Sequence, residues 1–550
     1  MTGEAWLILA SILTPLTLAA LGAFRTFRRW LPALCLAAPA PALAVALACP
    51  ETTVNLPWIM LDSRLTLDAL GRTFLTLFAV LYAVAAWHSF FYLRRKERRQ
   101  SYAVVFLLAM AGNFGVALAG DVVTFYAFFA LMSFSAYGLV AHDREPASMR
   151  AARVYLVLVV VGELALFGGA VLSAAETGTD FGASFQPPPL GLALVGLAFA
   201  VKAGLVPTHF WLPLAHPAAP APASAVLSGA MIKVGLLGAL RFMPPEGLGA
   251  ASDLLVLLGC ATAIYGVAVG VLQTNPKTVL AYSSISQMGL IAVGVALATD
   301  ASASDAAVAA TLVFALHHGF AKAALFLGAA ARPKAFTGWR WKLRIVGLVL
   351  PAIALAGAPF TSGAIAKGAL KALDVGPGWI DLFLSLSSLG TTLLMVRFVS
   401  LMLKQDGAEA PGTHLPWATA VAASTSFVWL WPPAAAWLGH SISGKALLAS
   451  LWPVLIGAAV ALIIGRLIHP SGKPLIPPGD VLVLLERLKP SWAGRSAQRA
   501  SPGEVWARRS DKSVEIADRA ERATQTWSFG ALLLVLLGAT LFAAAVVAPW

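Results

Sequence analysis

Two lysines, Lys202 and Lys233, lie inside apolar stretches of helical length, and prolines interrupt the residues between them, 207–222. A charged lysine deep in the bilayer costs at least about 2.5–3.5 kcal/mol, so such residues usually face a bundle interior or water and mark ion or proton paths. Proline-broken backbone at that depth is tolerated only inside protein or beside a water-filled cavity. We therefore interpret Pro207, His209 and His216 as part of a proton-handling site. The alternative is that the lysines are hydrogen-bonded packing residues.

A second polar group lies in the segment ALHHGFAKAALFLGAAA, where His318 and Lys322 are four residues apart. Residues at this spacing share a helix face, so a proton can pass between them through water. A packing histidine bonded to a neighbouring helix is the alternative. Further on, Pro359 precedes Lys367 in ALAGAPFTSGAIAKGALKAL, which predicts a second broken helix with a buried lysine. Ser286, in KTVLAYSSISQMG, either lines a channel or joins helices by hydrogen bonds.

These side chains belong to a membrane protein. The chain has 550 residues, of which 59% are hydrophobic and only 12% are charged, against about 25% charged in soluble domains. About 16 apolar runs of spanning length predict an all-α polytopic membrane protein, and the first run is kept as a span because no basic signal-peptide region precedes it. The three cysteines are far apart, which argues against iron–sulfur clusters and structural zinc. We expect no metal and no cofactor.

The formal charge of +13 has a topological explanation. Most Lys and Arg residues lie in alternate connections between the apolar runs, and the opposite connections hold mostly acids. Basic connections face the cytoplasm, so both termini are predicted on the external side of the inner (cytoplasmic) membrane. We expect no nucleic-acid partner.

The order of broken helices suggests an internal repeat. Two successive five-run units each contain a lysine beside a proline-interrupted helix, and matching interruptions in two halves are typical of inverted repeats with a site at the midplane. The segment 505–526 is either a helix on the cytoplasmic membrane surface or a solvated surface helix. The predicted divisions are N-terminal helices (1–100), first repeat (101–242), second repeat (254–403), C-terminal helices (415–465), a cytoplasmic polar and amphipathic segment (466–526) and a final helix (527–550).

Four segments resemble a known family: WLPLAHPAAPAPASAVLSGAMIKVG, KTVLAYSSISQMG, HHGFAKAALFLG and APFTSGAIAK. They are similar to the proton-antiporter membrane subunits of respiratory complex I, Mrp-type sodium/proton antiporters and membrane-bound hydrogenases. The first segment most resembles the large antiporter-type subunit of formate hydrogenlyase-like complexes. The resemblance covers roughly residues 62–400. It implies a fourteen-helix core of two inverted repeats, with buried lysines, histidines and water across the membrane plane.

The resemblance also implies individual roles. Lys202 corresponds to the broken-helix lysine of the family and Lys233 to the lysine after it. Lys322 with His318 corresponds to the central relay, and Lys367 to the outlet position.

One position departs from the family pattern. The family has a glutamate, paired with the broken-helix lysine, where this chain has Ala130. Glu163 lies one helix later at a similar depth, and we hypothesise that it replaces the missing acid as a partner of Lys202. The alternative is that Glu163 is protonated, is bonded to a neighbouring helix, and that this half of the chain no longer switches.

Three functions remain open at this stage. The first is a proton-translocating subunit of a redox-driven membrane complex, whose partners are other membrane subunits, lipid and protons. The second is a self-standing cation/proton antiporter moving sodium, which would need an oxygen-rich acidic site, whereas the buried set here is mainly lysine and histidine. The third is a proton-conducting partner of a peripheral enzyme, such as an inorganic-carbon uptake system. The sequence does not separate the first from the third.

The charge pattern yields a test of membrane orientation. We predict that residues 94–99 (RRKERR) and 332–344 are cytoplasmic, and that residues 176–180 and Trp550 are external. Single introduced cysteines, in a chain lacking Cys35, Cys49 and Cys260, are to be labelled in whole cells with a membrane-impermeant maleimide. Labelling is expected at 176–180, and ready labelling within 94–99 would overturn the orientation.

Overall fold

The computed structural model describes residues 2–57, 62–181, 185–244, 247–299, 304–331, 337–373, 378–406, 410–467 and 476–487, with the single residues 333 and 474. Within these ranges, 12 helices are long and apolar enough to cross a membrane. The predicted all-α polytopic membrane fold is confirmed, and the predicted count of 16 spans is not. The final run, 527–549, and the segment 488–526 lie outside the described residues.

The helices follow one another along the chain with few long connections. The first half comprises α1 (Gly3–Leu21), α2 (Arg25–Arg28), α3 (Leu31–Leu34), α4 (Ala40–Ala48), α5 (Ala69–Tyr92), α6 (Arg99–Leu118), α7 (Val122–Val140), α8 (Pro146–Thr177), α9 (Pro189–Ala203), a 3₁₀ turn (Thr208–Trp211), α10 (Leu212–Ala218), α11 (Ala221–Val226), a π-helical turn (Leu227–Met231) and α12 (Lys233–Arg241). The second half comprises α13 (Ala250–Gly270), α14 (Pro276–Leu297), α15 (Ser304–Gly328), α16 (Gly338–Ala356), α17 (Ser362–Lys371), α18 (Trp379–Lys404), α19 (His414–Leu430), α20 (Pro432–Ile442), α21 (Gly444–Leu467) and α22 (Asp480–Arg487).

Some apolar runs are not single helices. The run 31–48 divides into α3 and α4 on either side of Pro39, because proline has no N–H to donate and disfavours a helical residue before it. The run 189–206 extends further than its composition indicates: α9, the 3₁₀ turn and α10 together form one broken span of 30 residues, Pro189–Ala218. The proline-rich stretch 207–222 is thus mostly helical, and only a short turn at 219–220 separates α10 from α11.

The part of the chain described contains one two-stranded sheet, a β-hairpin. Strands β1 (Thr52–Leu56) and β2 (Ser63–Leu67) pair antiparallel, with Val54 opposite Leu65. Alternate residues of this hairpin are buried, as a half-buried strand requires. The Arg64 N–H donates to the Asp121 carboxylate at 2.7 Å, which fastens the hairpin to the start of α7.

An ion pair joins the start of α5 to the end of α12. Arg241 donates from both terminal nitrogens to the Asp68 carboxylate, which also caps α5 by accepting from the Gly71 N–H at 2.7 Å. Burial acts to raise the pKa of Asp68, but the hydrogen bonds and charge of Arg241 outweigh it and hold the pKa below its ordinary value. The pair therefore stays charged at neutral pH.

Two helices form the centre of the bundle. Every residue in the apolar windows of α14 and α15 is buried within this chain, whereas 17% of the corresponding window of α21 is buried. The sides of α14 and α15 are covered by α5, α11, α13, α18 and α19, among others. Polar side chains on α14 and α15 therefore face protein and not lipid.

Candidate functional site

The break in the span Pro189–Ala218 is stabilised by side chains from inside the protein. Gly204 ends α9 in the left-handed conformation (φ 73°), which glycine adopts without steric strain. The Val206 N–H donates to Thr262 Oγ1 at 3.1 Å, and Trp211 Nε1 donates to the Val201 carbonyl at 2.9 Å. The backbone groups freed by the break are thus paired, as membrane depth requires. Pro207 itself is exposed at the turn and does not line the site.

Lys202 lies one turn before this break and is almost fully buried. Its Nζ donates to Ser133 Oγ on α7 at 2.9 Å and lies 5.1 Å from the centre of the Phe129 ring. Glu163, on α8, lines the same small cavity as Lys202 and Ser133. Neither carboxylate oxygen of Glu163 has a hydrogen-bond partner among the described residues. The structure therefore brings the two groups of the hypothesised pair to one cavity, with the hydroxyl of Ser133 beside them.

Lys233 and His318 are in direct contact at the centre of the bundle. Lys233 Nζ is 2.5 Å from His318 Nδ1 and donates to the Ser228 carbonyl at 2.7 Å. Both side chains have no exposed surface. When Lys233 is charged it can only donate, so His318 Nδ1 then accepts and the ring proton lies on Nε2. Nε2 has no partner within the described residues.

Serines and backbone carbonyls fill the space between Lys233 and Lys322, without an unbroken chain of hydrogen bonds from one lysine to the other. The Ser228 hydroxyl is 2.8 Å from the Ser284 hydroxyl on α14, and Ser284 Oγ is 3.1 Å from the Leu280 carbonyl. Lys322 Nζ donates to that same carbonyl at 2.8 Å. Ser228 carries no sequence signal that distinguishes it from other small residues of a span. Its contact with Ser284 is seen only where α14 meets the π-helical turn.

The second broken helix lies between α16 and α17. Gly357 (φ 86°) and Phe360 (φ 62°) have left-handed backbone, and Pro359 is half-buried between them. Lys367 Nζ donates to the Ala356 carbonyl, freed by this break, at 3.3 Å and to Ser388 Oγ on α18 at 2.9 Å. Lys202 and Lys367 therefore have the same kind of partner, a serine hydroxyl on a neighbouring long helix.

His317 is a site residue that sequence reasoning missed. Its Nδ1 is 2.8 Å from the Ser362 hydroxyl at the start of α17, and Ser362 Oγ donates to the Ser424 carbonyl on α19. Consecutive helical residues point about 100° apart. The doublet His317 and His318 therefore faces two directions, toward the second break and toward Lys233. The doublet itself is the signal that was available in the sequence.

The remaining predicted residues occupy different positions. His216, on α10, is fully buried, stacks on Phe326 with ring centres 4.5 Å apart, and has no partner for either ring nitrogen in the described chain. His209 Nε2 lies 3.4 Å from Asp480 Oδ1, and its ring packs edge-on against Tyr265, so its contacts lie on α22 and α13. Ser286 is buried where α14 packs tightly against Gly266 of α13.

Comparison with known proteins identifies the family. The family described as NADH:quinone oxidoreductase/Mrp antiporter, TM, matches residues 119–394. The chain belongs to this family. The resemblance predicted from the four sequence segments is thereby confirmed, and the matched range contains Lys202, Lys233, His318, Lys322 and Lys367.

This NADH:quinone oxidoreductase/Mrp antiporter family chain spans about half the length of several curated relatives that it matches. Hydrogenase-4 component B of Escherichia coli (strain K12) is 31% identical over 50% of this chain, and the match spans 44% of the relative. F(420)H(2) dehydrogenase subunit N of Methanosarcina mazei is 27% identical over 69% of this chain and 84% of the relative. The Mrp complex from Dietzia sp. DQ12-45-1b has the same fold, with a TM-score of 0.68 at 23% identity over 100% of this chain and 63% of that chain.

The left-handed glycine beside Lys202 can be tested against a glycine on the same helix. A Cβ at Gly204 would overlap the Leu212 side chain, whereas a Cβ at Gly196 would meet nothing within 4 Å. Gly204→Ala should lower stability by about 1–2 kcal/mol for the backbone alone. Gly196→Ala should leave it unchanged or raise it by up to about 1 kcal/mol. Thermal unfolding of the purified protein in detergent measures both, and equal melting temperatures would contradict this account of the break.

Proposed function

We propose that this chain is a proton-translocating, antiporter-like membrane subunit of a multi-subunit, redox-driven complex. The observation that carries the proposal is the contact of Lys233 with His318, one helical turn from Lys322, with all three side chains fully enclosed. Ionisable groups are retained at such depth when they serve ion or proton paths. The names of relatives, a hydrogenase component and a dehydrogenase subunit, support a place among redox partners.

Histidine between two lysines makes a directional relay chemically possible. A proton leaving Lys233 Nζ is accepted at His318 Nδ1 to form an imidazolium, and the proton on Nε2 is then released on the other side of the ring. Lys322, one turn along the same helix, is the acceptor we assign to that proton, with water between them. Lys233 is left neutral and is recharged from the first unit.

In this proposal, protons reach Lys233 from Lys202 in the first unit, residues 101–242. We assign Glu163 as the acid that replaces the family glutamate missing at Ala130, because Glu163 and Lys202 line one cavity and their charges act on each other. A hydroxyl such as Ser133 can both donate and accept, so it is suited to carry a proton between an amine and a carboxylate.

We assign His216 to proton uptake from the cytoplasmic side. Lys277, half-buried at the start of α14, donates to the Ala219 carbonyl at 2.6 Å, beside the end of the short helix that carries His216. His216 is fully buried, and neither of its ring nitrogens has a hydrogen-bond partner within the described residues, so it is a suitable intermediate station.

The larger organisation is part of the same proposal. The matching bonds of Lys202 to Ser133 and of Lys367 to Ser388 support two related units, 101–242 and 254–403. We further propose that protons are the transported ions, that Lys367 is the outlet, and that both termini are external to the inner membrane. The partners are other membrane subunits that carry the redox centres.

The relay predicts a clear difference between buried and exposed lysines. Lys233→Ala and Lys322→Ala should lower proton transfer by about 100-fold, the scale of a lost general acid–base group, while assembly stays largely intact. Lys342→Ala removes an exposed lysine of α16 and should have no effect. Acidification of vesicles that contain the native assembly, driven by its own electron donor, measures the rates. Normal pumping by both buried variants would make these lysines purely structural.

The compensating acid has its own test. Glu163→Gln keeps the shape and hydrogen-bonding capacity of the side chain and removes its charge, so proton transfer should stop. Adding Ala130→Glu restores an acid on α7, one turn before Ser133, and should recover part of the activity. The same vesicle assay compares the single and double variants. Normal transfer by Glu163→Gln would show that no such pair operates and that the first unit works without a fixed counter-ion.

A further inference from the structure

One carboxylate of the polar C-terminal segment, residues 476–487, contacts the broken span Pro189–Ala218. Asp480, the first residue of α22, accepts from the hydroxyls of Tyr265, in a short hydrogen bond, and of Tyr282 at 3.1 Å. Its other oxygen accepts from the Val481 N–H at 2.7 Å and lies 3.4 Å from His209 Nε2. The side chain is only 8% exposed and that of His209 is fully buried. This carboxylate is thus held by groups from three other elements of the membrane bundle.

Neighbouring residues of the segment add further contacts. Gln273 Nε2 donates to the Ile476 carbonyl at 3.0 Å. Gly479 lies so close to α10 that a Cβ there would be 2.9 Å from Leu214 Cδ1. Gly479 has left-handed backbone (φ 76°), which lets the chain turn into α22 at this close approach. The contact surface therefore includes both the 3₁₀ turn and α10, the second half of the broken span.

The carboxylate is charged in this setting. Burial acts to raise the pKa of Asp480, but the nearby His209 ring and the hydrogen bonds donated by Tyr265 and the Val481 N–H outweigh it, so the pKa lies below its ordinary value. Neutralising the carboxylate weakens the charge-assisted hydrogen bonds that these donors make to it. The donors around Asp480 therefore favour a negatively charged side chain at this position.

A continuous set of contacts links the residues around Asp480 to Lys202. His209 and Trp211 belong to the same 3₁₀ turn, and Trp211 Nε1 holds the carbonyl of Val201, the residue before Lys202. Displacing His209 would move Trp211 and with it the end of α9. We propose that Asp480 is a positioning residue that clamps the C-terminal segment onto the broken span and so sets the position of Lys202; its effect on proton transfer rests on the proposed function.

The clamp can be measured without any assay of transport. A Leu214→Cys reporter, in a chain lacking Cys35, Cys49 and Cys260, lies beneath Gly479. In the native assembly in inside-out vesicles, an impermeant maleimide should label it slowly. Asp480→Asn, which keeps the size of the side chain and removes its charge, should raise the labelling rate by about tenfold or more by opening the contact locally. Asp480→Glu should return it toward the original rate.

A matched control and a second readout complete the design. Glu145→Gln removes an exposed acid from a connection on the side predicted to be cytoplasmic, and should change neither labelling nor proton transfer. Asp480→Asn should slow proton transfer in the same vesicles, and Asp480→Glu should restore it. Unchanged labelling in Asp480→Asn would overturn the clamp. Faster labelling with normal transfer would overturn its action on Lys202. An unsubstituted assembly that transfers no protons would refute the proposed function, while the labelling result would still decide the clamp.

Discussion

The arrangement of this site depends on one constraint: backbone N–H and C=O groups at membrane depth must be paired inside the protein. The first broken span meets it with two side chains, Thr262 from α13 and Trp211 from the broken span itself. In the second broken span, Lys367 is both a buried lysine of the site and the group that pairs the freed backbone. Its ammonium group donates to the Ala356 carbonyl that the break leaves without a helical partner. A break that is paired in this way places polar groups at the middle of the bilayer without exposing them to lipid. Lys202 and Lys367 lie beside the breaks, so pairing the broken backbone inside the protein also allows these two lysines to be buried.

The described lysines of the site are held by neutral oxygens. Ser133, Ser388 and the carbonyls of Ser228 and Leu280 accept from them. Carbonyl and hydroxyl oxygens stabilise a charged lysine and bind the neutral amine only weakly. A carboxylate in contact with the lysine would favour the charged form of the lysine alone. Such a site can lose and regain protons with small movements. Glu163, near Lys202 but with no hydrogen bond of its own in the described residues, is the one acid positioned to bias that balance.

Sequence reasoning predicted the membrane fold, the two breaks and the lysines, because proline, glycine and charge inside apolar runs are strong signals. It also predicted that His318 and Lys322 share a face, but not that Lys233 contacts His318. It failed for serine partners such as Ser228, because the sequence does not indicate which helix a hydroxyl within a span will contact. It failed for Asp480 because the tyrosine that binds it is 215 residues away in the chain. Helix lengths near the prolines were also wrong, since a broken span continues beyond its break.

The burial of every residue in the apolar window of α15 has a consequence for how the protein is made. Lys233 and the α14 groups precede α15 in the chain, so its first polar partners are already in the membrane when it emerges from the ribosome. His317 has no such advantage, since Ser362 follows it by 45 residues. At about 5–20 residues per second, His317 is without that partner for a few seconds. During synthesis the ring of His317 therefore stays without this hydrogen bond until α17 has been made. The order in which the helices are synthesised, as well as their final packing, therefore constrains which positions of α15 can carry a second histidine.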